Sequence, residues 1–152
     1  MLPPPPTACR SDPKSAGAVL RGYILLLEDD PAIRDVVTTV LEDEGYVVTA
    51  RETPAEATRL LDRVSFDLVI TDGFGTLPGD SFVNTAAVVR HAALTPVVLF
   101  SAYTHDPDDA KAAGFRDLIA KPFDLDTLVH HVEVVLAEER LRLRRVAALF
   151  SA

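Results

Sequence analysis

The sequence predicts an α/β fold, a doubly wound five-stranded parallel sheet with helices on both faces. Three observations lead there. Five short apolar runs, of the kind that strands buried on both faces show, alternate in strict order with segments of helical periodicity. A helical segment separates each run from the next, so neighbouring strands must be joined by crossovers and run parallel. Two of the helical segments open on a cap residue followed by proline, which fixes where the chain turns from loop into helix.

The elements follow in order. "YILLL" (23–27) is the first strand. "DPAIRDVVTTVLEDEG" (30–45) is a helix: Asp30 caps it, Pro31 takes the first turn and Gly45 ends it, with Ile33, Val36, Val37, Val40 and Leu41 as the apolar stripe. "YVVTA" (46–50) is the second strand, and "TPAEATRLLDRV" (53–64) repeats the cap-then-proline start. "FDLVIT" (66–71) is the third strand and runs into Asp72. A helix over 81–92 leads to the fourth strand, "PVVLFS" (96–101). A short helix over 106–114 closes on glycine before the fifth strand, "DLIA" (117–120). The last helix starts near Leu125 and places Leu125, Leu128, Val129, Val132, Val135 and Leu136 on one face.

The chain has 152 residues, 48% of them hydrophobic and 25% charged, which suits one domain with one core. Residues 1–21 hold five of the eleven prolines and too little apolar surface to offset ordering entropy, so they read as a disordered tail. The domain then covers 22–137, and 138–152 extends the last helix. Cys9 is the single cysteine, which precludes an intrachain disulfide and fits a reducing cytoplasm. The start lacks a signal peptide's apolar stretch, and no run reaches the roughly 20 apolar residues that span a membrane. A net charge of −8 repels polyanions, so direct DNA binding is not expected.

Ligands of such sheets bind beyond the carboxyl ends of the strands. Glu28 and Asp29 stand after strand one, Asp72 after strand three, Ser101 after strand four and Lys121 after strand five. Three carboxylates brought together repel unless a cation joins them, and oxygen donors favour a hard divalent ion such as Mg²⁺.

This constellation resembles the receiver domain of bacterial two-component response regulators, over about residues 22–136. The motifs are "ILLLEDDPAIR", "FDLVITD", "PVVLFSA" and "IAKPFD", in order and at the strand ends. The resemblance implies a flavodoxin-like sheet of order 2-1-3-4-5. It implies that Asp72 accepts a phosphoryl group from a phosphohistidine of a sensor histidine kinase or phosphotransfer protein. Mg²⁺ would be held by Glu28, Asp29, Asp72 and the backbone carbonyl of Phe74. Lys121 and Ser101 would contact phosphate oxygens, with a cis Lys121–Pro122 peptide aiming the lysine. The signal would pass to a downstream protein partner, or to a homodimer, through the face of strand four, strand five and the last helix.

The chain departs from the family pattern in two places. The loop after Asp72 has its first proline at Pro78 rather than four residues on, with Gly73 and Gly75 between. Three residues before the lysine the family carries Tyr or Phe; here stands Leu118, which offers no ring with a polar tip to swing. Tyr103 and Phe115 are nearby substitutes. Phe74 and Tyr103 lie where family side chains tune loss of the phosphoryl group, and two rings excluding water predict slow self-dephosphorylation.

Two other readings compete. A receiver-like binding module without phosphotransfer would fit the altered loop and Leu118. A haloacid-dehalogenase-type phosphatase would fit "DGFGTL", but its general acid two residues past the nucleophile is here Phe74. His91 and His105 read as ends of elements, although His105 could reach the site from its loop. His130 and His131 read as solvated helix positions. Four arginines crowd into 140–145, supported by a Glu138–Arg142 pair, with Leu143, Val146, Leu149 and Phe150 as an apolar side. No helix-turn-helix follows in this stretch, so output through protein partners is expected if the chain is complete, whereas for a fragment the missing output would decide.

Overall fold

The computed structural model describes residues 20–75, 80–102 and 105–151. The proline-rich tail before Leu20, Cys9, Pro78 and Tyr103 lie outside the described residues. Five strands, β1 (Gly22–Leu27), β2 (Tyr46–Arg51), β3 (Leu68–Asp72), β4 (Val97–Ser101) and β5 (Asp117–Ala120), alternate with five helices. These are α1 (Pro31–Asp43), α2 (Pro54–Leu61), α3 (Asp80–Ala92), α4 (Pro107–Ala112) and α5 (Leu125–Phe150). The sheet is wholly parallel and ordered β2-β1-β3-β4-β5, as expected.

Local chemistry explains the helix starts. Asp30 accepts from Ala32 N at 2.9 Å, Thr53 Oγ1 from Glu56 N at 3.3 Å, and Asp106 from Asp108 N at 2.7 Å. Each of these caps precedes a proline, whose missing N–H is no loss in a first turn. Gly45 ends α1 at φ 98°, a left-handed turn that glycine takes without strain.

Strand alternation divides the core into two layers. Ile24, Leu26, Leu68, Ile70, Val98, Phe100 and Ile119 face α1 and α5, where they meet Val37, Leu41, Leu128 and Val132. Leu25, Leu27, Val69, Val97 and Leu99 face the other way, onto a layer that includes Ala57, Val88 and Ala110 of α2, α3 and α4.

Arg21, assigned to the tail by composition, is docked on the domain. Its N–H donates to Gly45 O at 3.0 Å, its carbonyl accepts from Arg140, and its guanidinium lies 4.9 Å from the centroid of the Tyr46 ring. The expected Glu138–Arg142 pair is replaced by one on the neighbouring glutamate. Glu139 is buried and accepts from Arg142 Nη2 at 2.6 Å, Arg142 Nε at 3.1 Å and Arg116 Nη2 at 3.0 Å. Arg116 immediately precedes β5, so this cluster pins α5 to the amino-terminal end of the sheet. His131, expected in solvent, pairs with Asp117 at the start of β5, while His130 is exposed.

Two expectations follow. Leu128 is fully buried between helix and sheet. Leu128→Ala should cost about 2–5 kcal/mol in urea unfolding, whereas exposed Val134→Ala should stay within about 0.5 kcal/mol. The hydrogen bond from Arg142, aided by Arg116, holds the Glu139 carboxyl below its ordinary 4.5. A carboxyl with a depressed folded pKa stabilises fully above its unfolded value and loses that stabilisation on acidification. Glu139→Gln should therefore flatten the fall of the melting temperature with pH below about 4.5.

Candidate functional site

The carboxyl ends of β1, β3 and β5 deliver three charged side chains to one rim. Glu28, Asp72 and Lys121 continue the strand phase that faces α1 and α5. Lys121 Nζ donates to Asp72 Oδ1 at 2.9 Å and to Glu28 Oε2 at 3.1 Å. Beneath the lysine lies Phe100, itself stacked on Phe123 with ring centroids 4.8 Å apart. The Lys121–Pro122 peptide is cis. Asp29 lies in the bend after β1, and a carboxylate oxygen from each of Glu28, Asp29 and Asp72 falls within 4.8 Å of the others.

Burial differs sharply within this trio. The Glu28 side chain is 1% exposed, Asp72 17%, and Asp29 is open to solvent. Burial, and next the charge of Asp72, push the Glu28 carboxyl above its ordinary range, while Lys121 and the Asp30 N–H pull it back. Burial alone would lower the Lys121 ammonium, but hydrogen bonds and attraction from Asp72 and Glu28 outweigh it and raise it. Lysine is charged, and it offsets one of three clustered negative charges. The remaining acidic oxygen donors suit a hard cation.

Ser101 occupies the end of β4, one residue past Phe100, the register partner of Asp72. It has the opposite strand phase, toward α2, α3 and α4. Its hydroxyl is 2.8 Å from His105 Nε2, a contact that sequence placed only within reach. The altered loop after Asp72 is shaped by its glycines. A Cβ on Gly73 would run into the Ser81 side chain and one on Gly75 into Asp80, so both let the loop approach α3 closely. Between them Phe74 sits at φ 54°, a left-handed conformation costing on the order of 1 kcal/mol for a non-glycine residue. Its carbonyl accepts from Asn84 Nδ2 of α3, which no sequence signal indicated. The Phe74 ring, like Leu118, packs at the edge of the α2–α3–α4 layer. Beside the lysine a groove of about 570 Å³ opens, lined by Ile33, Val36, Pro122, Phe123 and Leu125 among others.

Residues 24–133 match the family model of the response regulator receiver domain. The chain belongs to that family. This receiver domain is 31% identical over 113 residues to an uncharacterised 14.6 kDa protein of Leptolyngbya boryana, covering 72% of the chain and 86% of that protein. It is 30% identical over 128 residues to the DNA-binding response regulator MtrA of Mycolicibacterium smegmatis, covering 83% of the chain but 52% of MtrA. Of several other curated relatives that it matches, the chain spans about half or less of the length. Among solved structures it is similar to the receiver domain of sensor histidine kinase PA1611 from Pseudomonas aeruginosa, at 26% identity and TM-score 0.64. That match covers 76% of this chain and 98% of the other, in which a magnesium ion is coordinated in the active site cleft. It is also similar to the chemotaxis response regulator CheY4 of Vibrio cholerae, at 26% identity and TM-score 0.65, covering 77% of this chain and 99% of that one. This is the receiver domain of a two-component response regulator, and receiver domains are signalling modules. Among the described residues no helix is long and apolar enough to cross a membrane.

The balance at the rim is testable without any ligand. Lys121→Met removes the main group that pulls Glu28 down, leaving burial and Asp72, which push it up, against the Asp30 N–H alone. The Glu28 side-chain carboxyl should then titrate at higher pH than in the parent protein, read from its ¹³C shift.

Proposed function

We propose that Asp72 is the phosphoacceptor of this receiver domain, and that the contact carrying this reading is the Lys121 ammonium bridging Asp72 and Glu28. An Asp72 carboxylate oxygen attacks phosphorus, the P–N bond to the donor's phosphohistidine breaks, and the donor imidazole leaves with the electron pair. Lys121, already on Asp72, follows the charge onto a phosphate oxygen, and the Ser101 hydroxyl donates to another. Glu28, Asp29, Asp72 and the Phe74 carbonyl would hold Mg²⁺, whose charge offsets that of the transferring group. A carbonyl has two lone pairs, so the Asn84 bond leaves Phe74 one for the metal.

The apolar groove beside Lys121 supports a protein phosphodonor, a sensor histidine kinase or phosphotransfer protein, because it offers contact surface next to the reacting carboxylate. Phosphorylation then shifts an existing equilibrium of the β4–β5–α5 face toward a downstream protein partner or a second copy of the chain. The net charge of −8 favours protein partners over direct DNA contact, and the fold fits a cytoplasmic module.

A receiver-like binding module is the second reading. It is favoured by the Phe74 carbonyl already accepting from Asn84 and by Leu118 in place of an aromatic switch residue. Incubation with a small phosphodonor and Mg²⁺, followed by intact mass, separates the two. A single phosphoryl adduct is expected, lost in Asp72→Asn and lost when the divalent ion is chelated. No adduct on the parent protein would establish the binding module. Steady release of phosphate from phosphomonoesters would instead establish a phosphatase.

A further inference from the structure

Leu118 has no polar tip, so it cannot exchange hydrogen bonds when a phosphoryl group arrives. The Ser101 hydroxyl does have a partner that can. His105 Nε2 lies 2.8 Å from Ser101 Oγ, and Ser101 is 4% exposed, so solvent does not compete freely for that bond. The imidazole also touches Phe82 of α3, ring centroids 4.8 Å apart, and Phe82 touches Phe115 at 5.9 Å. Phe115 is 3% exposed and lies in the turn before β5. A continuous row of rings thus runs from the site hydroxyl, past α3, to the amino end of β5.

We propose that the switch contact of this receiver domain is His105–Ser101. In the resting state His105 holds the Ser101 hydroxyl, and a phosphoryl group on Asp72 takes that hydroxyl and releases the imidazole. The Phe82–Phe115 row then carries the change to α3 and β5. This rests on the phosphoacceptor reading above. The exchange requires His105 as the Nδ1–H tautomer, whose Nε2 accepts from Ser101 Oγ, because a serine hydroxyl has one proton to donate. A phosphoryl oxygen is anionic, and charge-assisted hydrogen bonds are roughly twice as strong as neutral ones, so it wins the competition for that proton. Once that polar partner is lost, the contact with Phe82 is what holds the ring among the described residues. The role elsewhere assigned to a swinging aromatic on β5 falls here to an imidazole on the β4–α4 loop.

The test uses the whole chain with Mg²⁺ and beryllofluoride as the phosphoryl mimic. ¹⁹F NMR reports whether the mimic is bound, and ¹⁵N shifts of the His105 ring report its hydrogen bond. The bound mimic should move the His105 ring nitrogen shifts and, with them, the Phe115 resonances. Phe82→Leu removes the ring between them and touches no charged site residue. It should keep the bound ¹⁹F signal and the His105 shift but lose the Phe115 response. A bound ¹⁹F signal with His105 unmoved overturns the inference and leaves the phosphoacceptor reading intact. A Phe115 response unchanged in Phe82→Leu overturns the relay through the rings. No bound ¹⁹F signal in the parent protein overturns the phosphoacceptor reading, and this inference with it.

Discussion

One ammonium group sets the terms for the rest of the molecule. Glu28 is buried beside Asp72, and burial and that neighbouring carboxylate both push its carboxyl above the ordinary range. Lys121 bonds to both, and its own charge is kept by them against the cost of burial. The glutamate and the lysine are 93 residues apart in the chain, so the contact exists only because the sheet closes in the order β2-β1-β3-β4-β5. That order places β3 next to β1, and β4 between β3 and β5. The lysine must therefore reach back across the end of β4, which it does over the face of Phe100.

The two core layers divide the work at the rim. Glu28, Asp72 and Lys121 continue the strand phase packed on α1 and α5, whereas Ser101 continues the phase packed on α2, α3 and α4. The charges therefore rest on one layer and the hydroxyl on the other. A group bound at Asp72 that contacts both Lys121 and Ser101 would link the two layers through its own oxygens. Close-packed layers do not deform continuously, so such a link favours one of two discrete packings over the other.

Much of this was legible before any coordinates. Apolar runs too short for helices, separated by capped and proline-started helices, fix the alternation, and the strand-end rule then points to Glu28, Asp29, Asp72, Ser101 and Lys121. Asp30, Thr53 and Asp106 cap because their side chains answer N–H groups two or three residues away, which is local chemistry that a sequence displays. What was hidden depends on contacts between distant segments. The bond from Asn84 to Phe74 needs the path of a loop set by Gly73 and Gly75 against α3. Arg142 chooses Glu139 over Glu138 because Glu139 is the one turned to the sheet, where Arg116 already waits. Arg21 leaves the tail because Gly45 O and the Tyr46 ring lie beside it, and neither is visible from composition.

Helix α5 joins the two ends of this arrangement. It starts beside the groove next to Lys121, passes His131 on Asp117, and is locked by Glu139 to Arg116 at the opposite end of the sheet. At 26 residues it is about 39 Å long, longer than the sheet it covers. Beyond Glu139 its apolar residues Leu141, Leu143, Leu149 and Phe150 are exposed, so that stretch rests on helix propensity rather than on burial. Tight packing and an ion-paired lock hold the helix as far as Glu139, and among the described residues no buried apolar side chain holds it beyond that point. A shift at the rim that moved α5 would therefore be carried as a rigid-body tilt up to Glu139, and it would be largest where the helix leaves the domain.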